Sequence, residues 1–231
     1  MNARFYCPNP TESTATLADS EAHHLLHVLR AKVGERVTLF DGIGHEYEAE
    51  VTKLGRREVE LAVLNKQPIS RESKCKLTLA VALPKGDRQK FLVEKAVELG
   101  VARIVPVVTE FSGSAPKGSA IEKLRRAVIE ASKQCRRNHL MQIDDPVTWG
   151  EFIEIDTQGT KWILHPYNSE PAVMPADADG VDVTCLIGPE GGFSESELEK
   201  AVACGWQAVE LGPRILRIET AAVAIAAKWL L

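Results

Sequence analysis

Short segments in which apolar and polar residues alternate dominate the first seventy residues. They include RVTLFDG, HEYEAEV and EVELAVL, with turn signals at Asp41-Gly42 and Gly55. One stretch with helical spacing, SEAHHLLHVLRAK, interrupts the strands, and Gly34 can end it. Several short strands closed by a single helix predict a small β-barrel over residues 1–70.

From Cys75 onward, strands alternate with amphipathic helices. The strand-like stretches are KLTLAVAL, ARIVPVVT, KWILH, VDVTCLI and QAVELG, and the helical ones include DRQKFLVEKAVELG, AIEKLRRAVIEASKQCRR and ETAAVAIAAKWLL. This alternation predicts an α/β domain whose parallel sheet is covered on both faces. The polar stretch QPISRESK precedes it, so we assign residues 74–231 to this second domain.

The stretch LIGPEGGFSESELEKA joins a buried strand to a helix through a glycine-rich turn. Ser194 and Glu197 form a capping box, and the N-terminus of a helix often binds phosphate. Four glutamates surround this turn, however, and neither GxxxxGK[ST] nor GxGxxG is present. The loop therefore suits either close backbone approach to a ligand that is not strongly anionic, or simply a tight turn.

Two segments of the second domain are expected to share one pocket. Gly188–Gly192 and Gly212–Thr220 both follow predicted strands. Ligands of parallel sheets bind beyond the carboxyl ends of the strands, which places both segments at the same edge.

The composition, 45% hydrophobic and 26% charged, is that of an ordinary globular protein. No apolar run approaches the ~20 residues that would span a membrane, and the stretch MNARFYCPNP has no signal-peptide pattern. The cysteines lack CxxC spacing, as expected of reduced thiols in a cytoplasmic protein. They are Cys7, Cys75, Cys135, Cys185 and Cys204.

Charge is unevenly distributed behind the overall value of −4. Residues 74–140 hold 14 Lys and Arg against 6 Asp and Glu, a balance of +8, whereas residues 141–231 hold 5 against 15, a balance of −10. A basic segment of this kind is either a surface for a polyanion such as RNA or a set of solvated helix faces.

The histidines of EAHHLLH have spacings of three and four residues, which could suggest a metal. No HExxH motif is present, and His24 and His27 also fit a helix face against a barrel or RNA. We expect no metal site.

Two C-terminal segments, IGPEGGFS and LGPRILRIETAA, resemble the signature segments of the ribosomal RNA small subunit methyltransferase E family, within the SPOUT superfamily. Further matches are ARFY, EAHHLLHVLR, LFDGIGHEYEAEV, LPKGDRQKFLVEKAVELGV, IVPVVTE and EASKQCRRN. The resemblance covers nearly the whole chain in order.

The resemblance implies an N-terminal PUA-like β-barrel and a C-terminal SPOUT-type parallel-sheet domain with a deep trefoil knot. It implies a homodimer that uses S-adenosylmethionine to methylate N3 of one uridine in 16S ribosomal RNA of the small subunit. The cofactor-binding residues carried over by it are His165, Pro166, Ile187, Gly188, Pro189, Glu190, Gly191, Gly192, Leu211, Gly212, Ile215, Leu216, Arg217, Thr220 and Ala221.

The chemistry of uracil N3 suggests two catalytic residues. Its proton must leave, and negative charge spreads to O2 and O4, so a base and a hydrogen-bond donor are needed. Arg217 is the candidate donor, and Glu219 the candidate base or partner of Arg217. A plain Arg–Glu pair at a helix start is the alternative interpretation.

Arg126, Lys133 and Arg137 have helical spacings that place them near one face, suited to phosphates. The full set of predicted RNA-binding residues is Arg4, His24, Arg30, Lys85, Arg88, Lys90, Arg126, Lys133, Arg136 and Arg137.

The sequence departs from the family pattern at two positions. Phe111 follows Glu110 where an arginine is common, and Ile218 stands where a threonine is usual. Two other functions remain open at this point: a 2′-O-ribose RNA methyltransferase of the same superfamily, and a non-catalytic RNA-binding ribosome assembly factor.

Overall fold

The structure, a computed structural model, describes residues 3–113, 115–155, 159–166, 170–171 and 180–231. It divides into two compact units. The first comprises Met1–Glu72 and Ser132–Leu140, and the second Ser73–Ala131 and Met141–Leu231. The sequence pattern places a boundary between residues 70 and 74, but it does not assign Ser132–Leu140 to the first unit.

The first unit contains a five-stranded sheet in the order β1-β3-β4-β5-β2. β1 and β3 are parallel, and the remaining pairs are antiparallel. Alternation of exposed and buried residues in β2 buries Ala15 and Leu17 in a core with Phe5, Leu39 and Leu61. The strands are β1 Arg4–Tyr6, β2 Thr14–Ala18, β3 Arg36–Phe40, β4 His45–Leu54 and β5 Glu58–Pro68.

One helical segment follows β2 and closes this core. Helix α1, Asp19–His23, continues into a π-helical turn at His24–Val28. Its buried residues include Ala22 and Leu25, which join the same core. The mostly antiparallel sheet with one short helix agrees with the predicted PUA-like domain.

The second unit is built on a sheet in the order β11-β13-β10-β12-β6-β7-β8, with β9 paired to β7, and all of these pairings are parallel. All residues of β12 are buried, as expected for a central strand covered on both faces. The strands are β6 Leu77–Val81, β7 Arg103–Val108, β8 Gln142–Ile143, β9 Val147–Thr148, β10 Thr160–Leu164, β11 Glu170–Pro171, β12 Val183–Ile187 and β13 Gln207–Glu210.

Helices follow most of these strands. They are α2 Asp87–Glu98, α3 Gly118–Cys135, α4 Trp149–Ile153, α5 Glu195–Ala203 and α6 Ile218–Leu230. Ser194 and Glu197 cap α5 reciprocally, as the sequence predicts. Among the residues that the structure describes, no helix has the length and apolarity needed to cross a membrane.

The strand order positions the candidate site. β12 lies between β10 and β6, and β13 pairs with the other edge of β10. The carboxyl ends of β10, β12 and β13 are therefore neighbours, and the connections that leave them meet at one edge of the sheet.

Candidate functional site at the carboxyl edge of the parallel sheet

A pocket of about 550 Å³ opens at this edge. Three connections form it: the residues after β10, the glycine-rich turn between β12 and α5, and the segment between β13 and α6. Its lining residues are Leu164, His165, Pro166, Ile187, Gly188, Pro189, Glu190, Gly191, Gly192, Phe193, Val209, Glu210, Leu211, Gly212, Arg214, Ile215, Leu216, Arg217, Ile218 and Ala221.

Glycine is required in the turn after β12 for different reasons at different positions. A Cβ on Gly188 would lie 2.9 Å from the ring of Phe193, and a Cβ on Gly191 would lie 3.0 Å from Cβ of Phe111. Gly192 has φ +74°, a left-handed backbone conformation in which a residue with a Cβ is strained, although a Cβ there would meet nothing within 4 Å. The loop is thus shaped by packing at two glycines and by backbone conformation at the third.

Buried Glu197 fixes the end of this loop. Its carboxylate accepts hydrogen bonds from the amide of Ser194 at 3.0 Å and from the amide of Glu110 at 2.9 Å. The first bond belongs to the cap of α5, whereas the second holds the turn after β7. One carboxylate therefore ties two loops of the sheet edge together.

Glu190 supplies negative charge at the pocket. Its own backbone N–H lowers the pKa of the carboxyl group, burial opposes this, and Arg88 and Lys85 lower it further. His165 also lines the pocket, and its amide donates to the carbonyl of Val209 at 3.0 Å. Burial lowers the pKa of the His165 ring, which favours neutral imidazole. The lining therefore combines carboxylates at Glu190 and Glu210 with guanidinium groups at Arg214 and Arg217, so it does not carry the excess of positive charge that a polyphosphate site needs.

Arg88 lies between two carboxylates. Its guanidinium donates to Glu190 Oε1 at 2.9 Å, and its other terminal nitrogen lies 3.8 Å from Glu219 Oε2. Glu219 is only 7% exposed, and its Oε2 has no hydrogen-bond partner among the described residues. Arg88, which we predicted to bind RNA, therefore connects the glycine-rich turn after β12 to the start of α6, and its contact with RNA stays a prediction.

The two predicted catalytic residues have different surroundings. Arg217 lines the pocket, is exposed, and has no ion-pair partner in the part of the chain that the structure describes. Glu219 is outside the lining and pairs with Arg88, so the predicted pairing of Arg217 with Glu219 is absent from the described residues.

The structure gathers nearly all of the predicted cofactor residues at this pocket. Thr220 is the exception, since it is exposed on α6 while Ile218 and Ala221 face the pocket. The lining residues that the sequence interpretation missed are Leu164, Phe193, Val209 and Glu210, whereas Arg214 and Ile218 lie within the predicted segment Gly212–Thr220. Leu164, Val209 and Glu210 lie at the carboxyl ends of strands β10 and β13, and this position in the strand pattern would have predicted them as pocket residues.

The predicted basic stripe along α3 needs correction. Lys133 forms an ion pair with Glu21 at 2.8 Å, and the Lys133 side chain is only 9% exposed. Arg137 is 5% exposed and its Nε donates to Glu72 at 2.8 Å. α3 ends at Cys135, and Arg136 has φ +63°, so Arg137 does not continue the helical face. Of the stripe, Arg126 alone is exposed, and the other two cations form ion pairs within the first unit.

The remaining predicted RNA-binding residues are divided between the units. In the first unit, Arg4 pairs with Glu46 at 2.6 Å, His24 packs edge-on against Phe5, and Arg30 and Arg136 are exposed. In the second unit, Lys85 and Lys90 are exposed, and Lys90 lies 3.5 Å from Glu94.

Two family models match the chain. A model described as an RNA methyltransferase domain matches residues 71–230, and one described as an RNA methyltransferase PUA domain matches residues 17–64. The parallel sheet with its glycine-lined pocket, together with the small β domain, therefore defines an RNA methyltransferase with a PUA domain.

Similar proteins narrow this class. Ribosomal RNA small subunit methyltransferase E of Buchnera aphidicola is 30% identical over 223 residues, covering 90% of this chain and 87% of its own. The enzyme of that name from Synechocystis is 32% identical over 217 residues, covering 91% and 70%. A structure of ribosomal RNA small subunit methyltransferase E from Neisseria gonorrhoeae, bound to S-adenosyl methionine, has a TM-score of 0.89 at 33% identity over 99% of this chain and 96% of that one. The chain belongs to the ribosomal RNA small subunit methyltransferase E family.

Proposed function

We propose that this protein uses S-adenosylmethionine to methylate N3 of one uridine in 16S ribosomal RNA of the small subunit. The observation that carries the proposal is the pocket at the carboxyl ends of β10, β12 and β13, in a chain whose Neisseria relative is bound to S-adenosyl methionine. The base and the atom that is methylated rest on the family resemblance.

The residues of the pocket fit this cofactor. Gly188, Gly191 and Gly212 line the pocket, where their backbone can approach an adenine edge closely, and the turn carries no lysine of the kind that phosphate loops use. The exposed carboxylate of Glu190, which pairs with Arg88, does not repel a sulfonium. When bound, S-adenosylmethionine supplies a methyl group on a sulfur that is already a good leaving group.

The chain's own contribution is alignment and charge stabilisation. Arg217, exposed at the pocket, can donate to a uracil oxygen as N3 loses its proton. We propose that Glu219 orients Arg88 and does not act as the base, because its carboxylate lies near Arg88 and Glu219 is not among the residues that line the pocket.

We further propose, from the resemblance to SPOUT enzymes, a deep trefoil knot, a homodimer and a cytoplasmic location. The knot would involve Ile187–Gly192 and Leu211–Ala221, which meet at one pocket, and α6, which packs against α2 and β6. Light scattering coupled to gel filtration tests the dimer. Tracing the chain in a crystal structure tests the knot, and fractionation of the native cells tests the location.

Titration calorimetry and methyl transfer test the function together. We expect S-adenosylmethionine to bind, and labelled methyl groups to enter 16S ribosomal RNA of small subunits purified from a strain that lacks the gene. RNA binding without cofactor binding would instead identify a non-catalytic assembly factor.

A further inference from the structure

An exposed aromatic side chain lies against the glycine-rich loop. Phe111, in the turn after β7, is 51% exposed. A Cβ added to Gly191 would lie 3.0 Å from Cβ of Phe111 and 3.5 Å from its Cγ. The Phe111 side chain therefore packs beside Gly191 of the loop that lines the pocket. Single exposed apolar residues are common on protein surfaces. This one differs from them in lying beside the loop that lines the pocket.

The turn that carries Phe111 is held firmly. The amide of Thr109 donates to Ser112 Oγ at 2.9 Å, and the amide of Ser112 donates to the carbonyl of Thr109 at 3.1 Å. Between them, the amide of Glu110 donates to buried Glu197 at 2.9 Å. Because Glu197 also caps α5, Phe111 is presented on a fixed turn next to the loop rather than on a loose one.

Cations flank the same turn. Lys85 is exposed, and its Cε would lie 2.9 Å from a Cβ on Gly113, two residues beyond Phe111. Arg88 follows on the next helix and bonds Glu190 of the glycine-rich loop. A half-exposed ring with a lysine beside it combines the two features that bind unstacked nucleic acid: a π face for a base and positive charge for a phosphate.

We propose that Phe111 is the stacking surface for the target base of the RNA, and that Lys85 contacts the phosphate backbone beside it. This inference rests on the proposed function, because the pairing edge of a base is reached only when the base leaves its stack. Phe111 supplies a replacement for the lost stacking at a position adjoining the cofactor loop. Stacking depends on a flat π surface, so tryptophan or an arginine guanidinium would substitute for the phenyl ring, whereas leucine would not.

The test compares Phe111→Leu, Phe111→Trp and the control Phe91→Leu. Phe91 is a phenylalanine of similar exposure on α2, where Lys95 lies over its ring. We expect Phe111→Leu to lower kcat/KM for small subunits about tenfold or more, within the range for loss of one stacked base. We expect Phe111→Trp and Phe91→Leu to retain activity, and all three variants to bind S-adenosylmethionine within about twofold of the unmodified protein.

Unchanged kcat/KM in Phe111→Leu would overturn the proposal. Loss of cofactor affinity in Phe111→Leu that matches its loss of activity would also overturn it, because the ring would then only support the glycine-rich loop. If the unmodified protein methylates no small-subunit RNA, the proposed function itself fails, which is a distinct result from an active protein that is indifferent to Phe111.

Discussion

Replacing Lys133 by methionine separates a structural cation from an RNA-binding one. Methionine retains an unbranched apolar stem of similar length but removes the ammonium group. Lys133 Nζ lies 2.8 Å from Glu21 Oε1, and the side chains are 9% and 11% exposed. The pair joins the end of α3 to helix α1 within the first unit.

The expected magnitude follows from this burial. At an effective dielectric constant of about 20, two unit charges at this separation attract by about 6 kcal/mol, and desolvation offsets a large part of it. Removal of one partner from a buried pair typically costs about 3–5 kcal/mol. Glu21 keeps the hydrogen bond from the amide of Tyr6, so we expect the lower end, about 3 kcal/mol of unfolding free energy.

Urea denaturation of the full chain, with hydrogen exchange to locate the effect, measures this loss. We expect faster exchange in β1–β5 in Lys133→Met, and partial recovery when Glu21→Gln removes the uncompensated carboxylate. Arg126→Met is the matched control, since Arg126 is an exposed cation of the same helix. Unchanged stability in Lys133→Met together with weakened RNA binding would refute the structural role.

Three further changes test the pocket. Gly192→Val should weaken S-adenosylmethionine binding at least about a hundredfold in calorimetry, because φ +74° strains a β-branched residue; normal affinity would contradict this. Arg217→Ala should bind cofactor and RNA nearly normally but turn over about a hundredfold more slowly at saturation, and near-normal turnover would remove Arg217 from the mechanism. Arg88→Gln should weaken cofactor binding several-fold, because it leaves Glu219 buried without its cation. Adding Glu219→Gln should recover part of the lost affinity, and additive effects of the two substitutions on binding would show that the side chains are not coupled.

The position of the pocket could be predicted from local pattern because parallel strands share one functional edge. Apolar strands followed by Gly188 and Gly212 identify that edge without knowledge of tertiary contacts. Thr220 was assigned to the pocket from its place in the signature segment. The turn of α6 directs Ile218 and Ala221 inward and leaves Thr220 exposed.

The ion pairs of Lys133 and Arg137 could not be predicted, because helical spacing contains no information on partners that are distant in the sequence. Glu21 is 112 residues from Lys133 in the sequence, and Glu72 is 65 residues from Arg137. The left-handed conformation of Arg136 also ends the helical periodicity on which the stripe depended. The contacts of Arg88 with Glu190 and Glu219 could not be predicted for the same reason, because only the fold brings these three residues together.

The most direct measurement of the proposed function is the identity of the methylated nucleotide. Small subunits from a strain lacking the gene would be incubated with the protein and S-adenosylmethionine, and the digested 16S ribosomal RNA analysed by mass spectrometry with mapping of the modified position. We predict one new N3-methyluridine at a single site. A 2′-O-methylated ribose, or RNA that gains no methyl group although the protein binds the cofactor, would contradict the proposal.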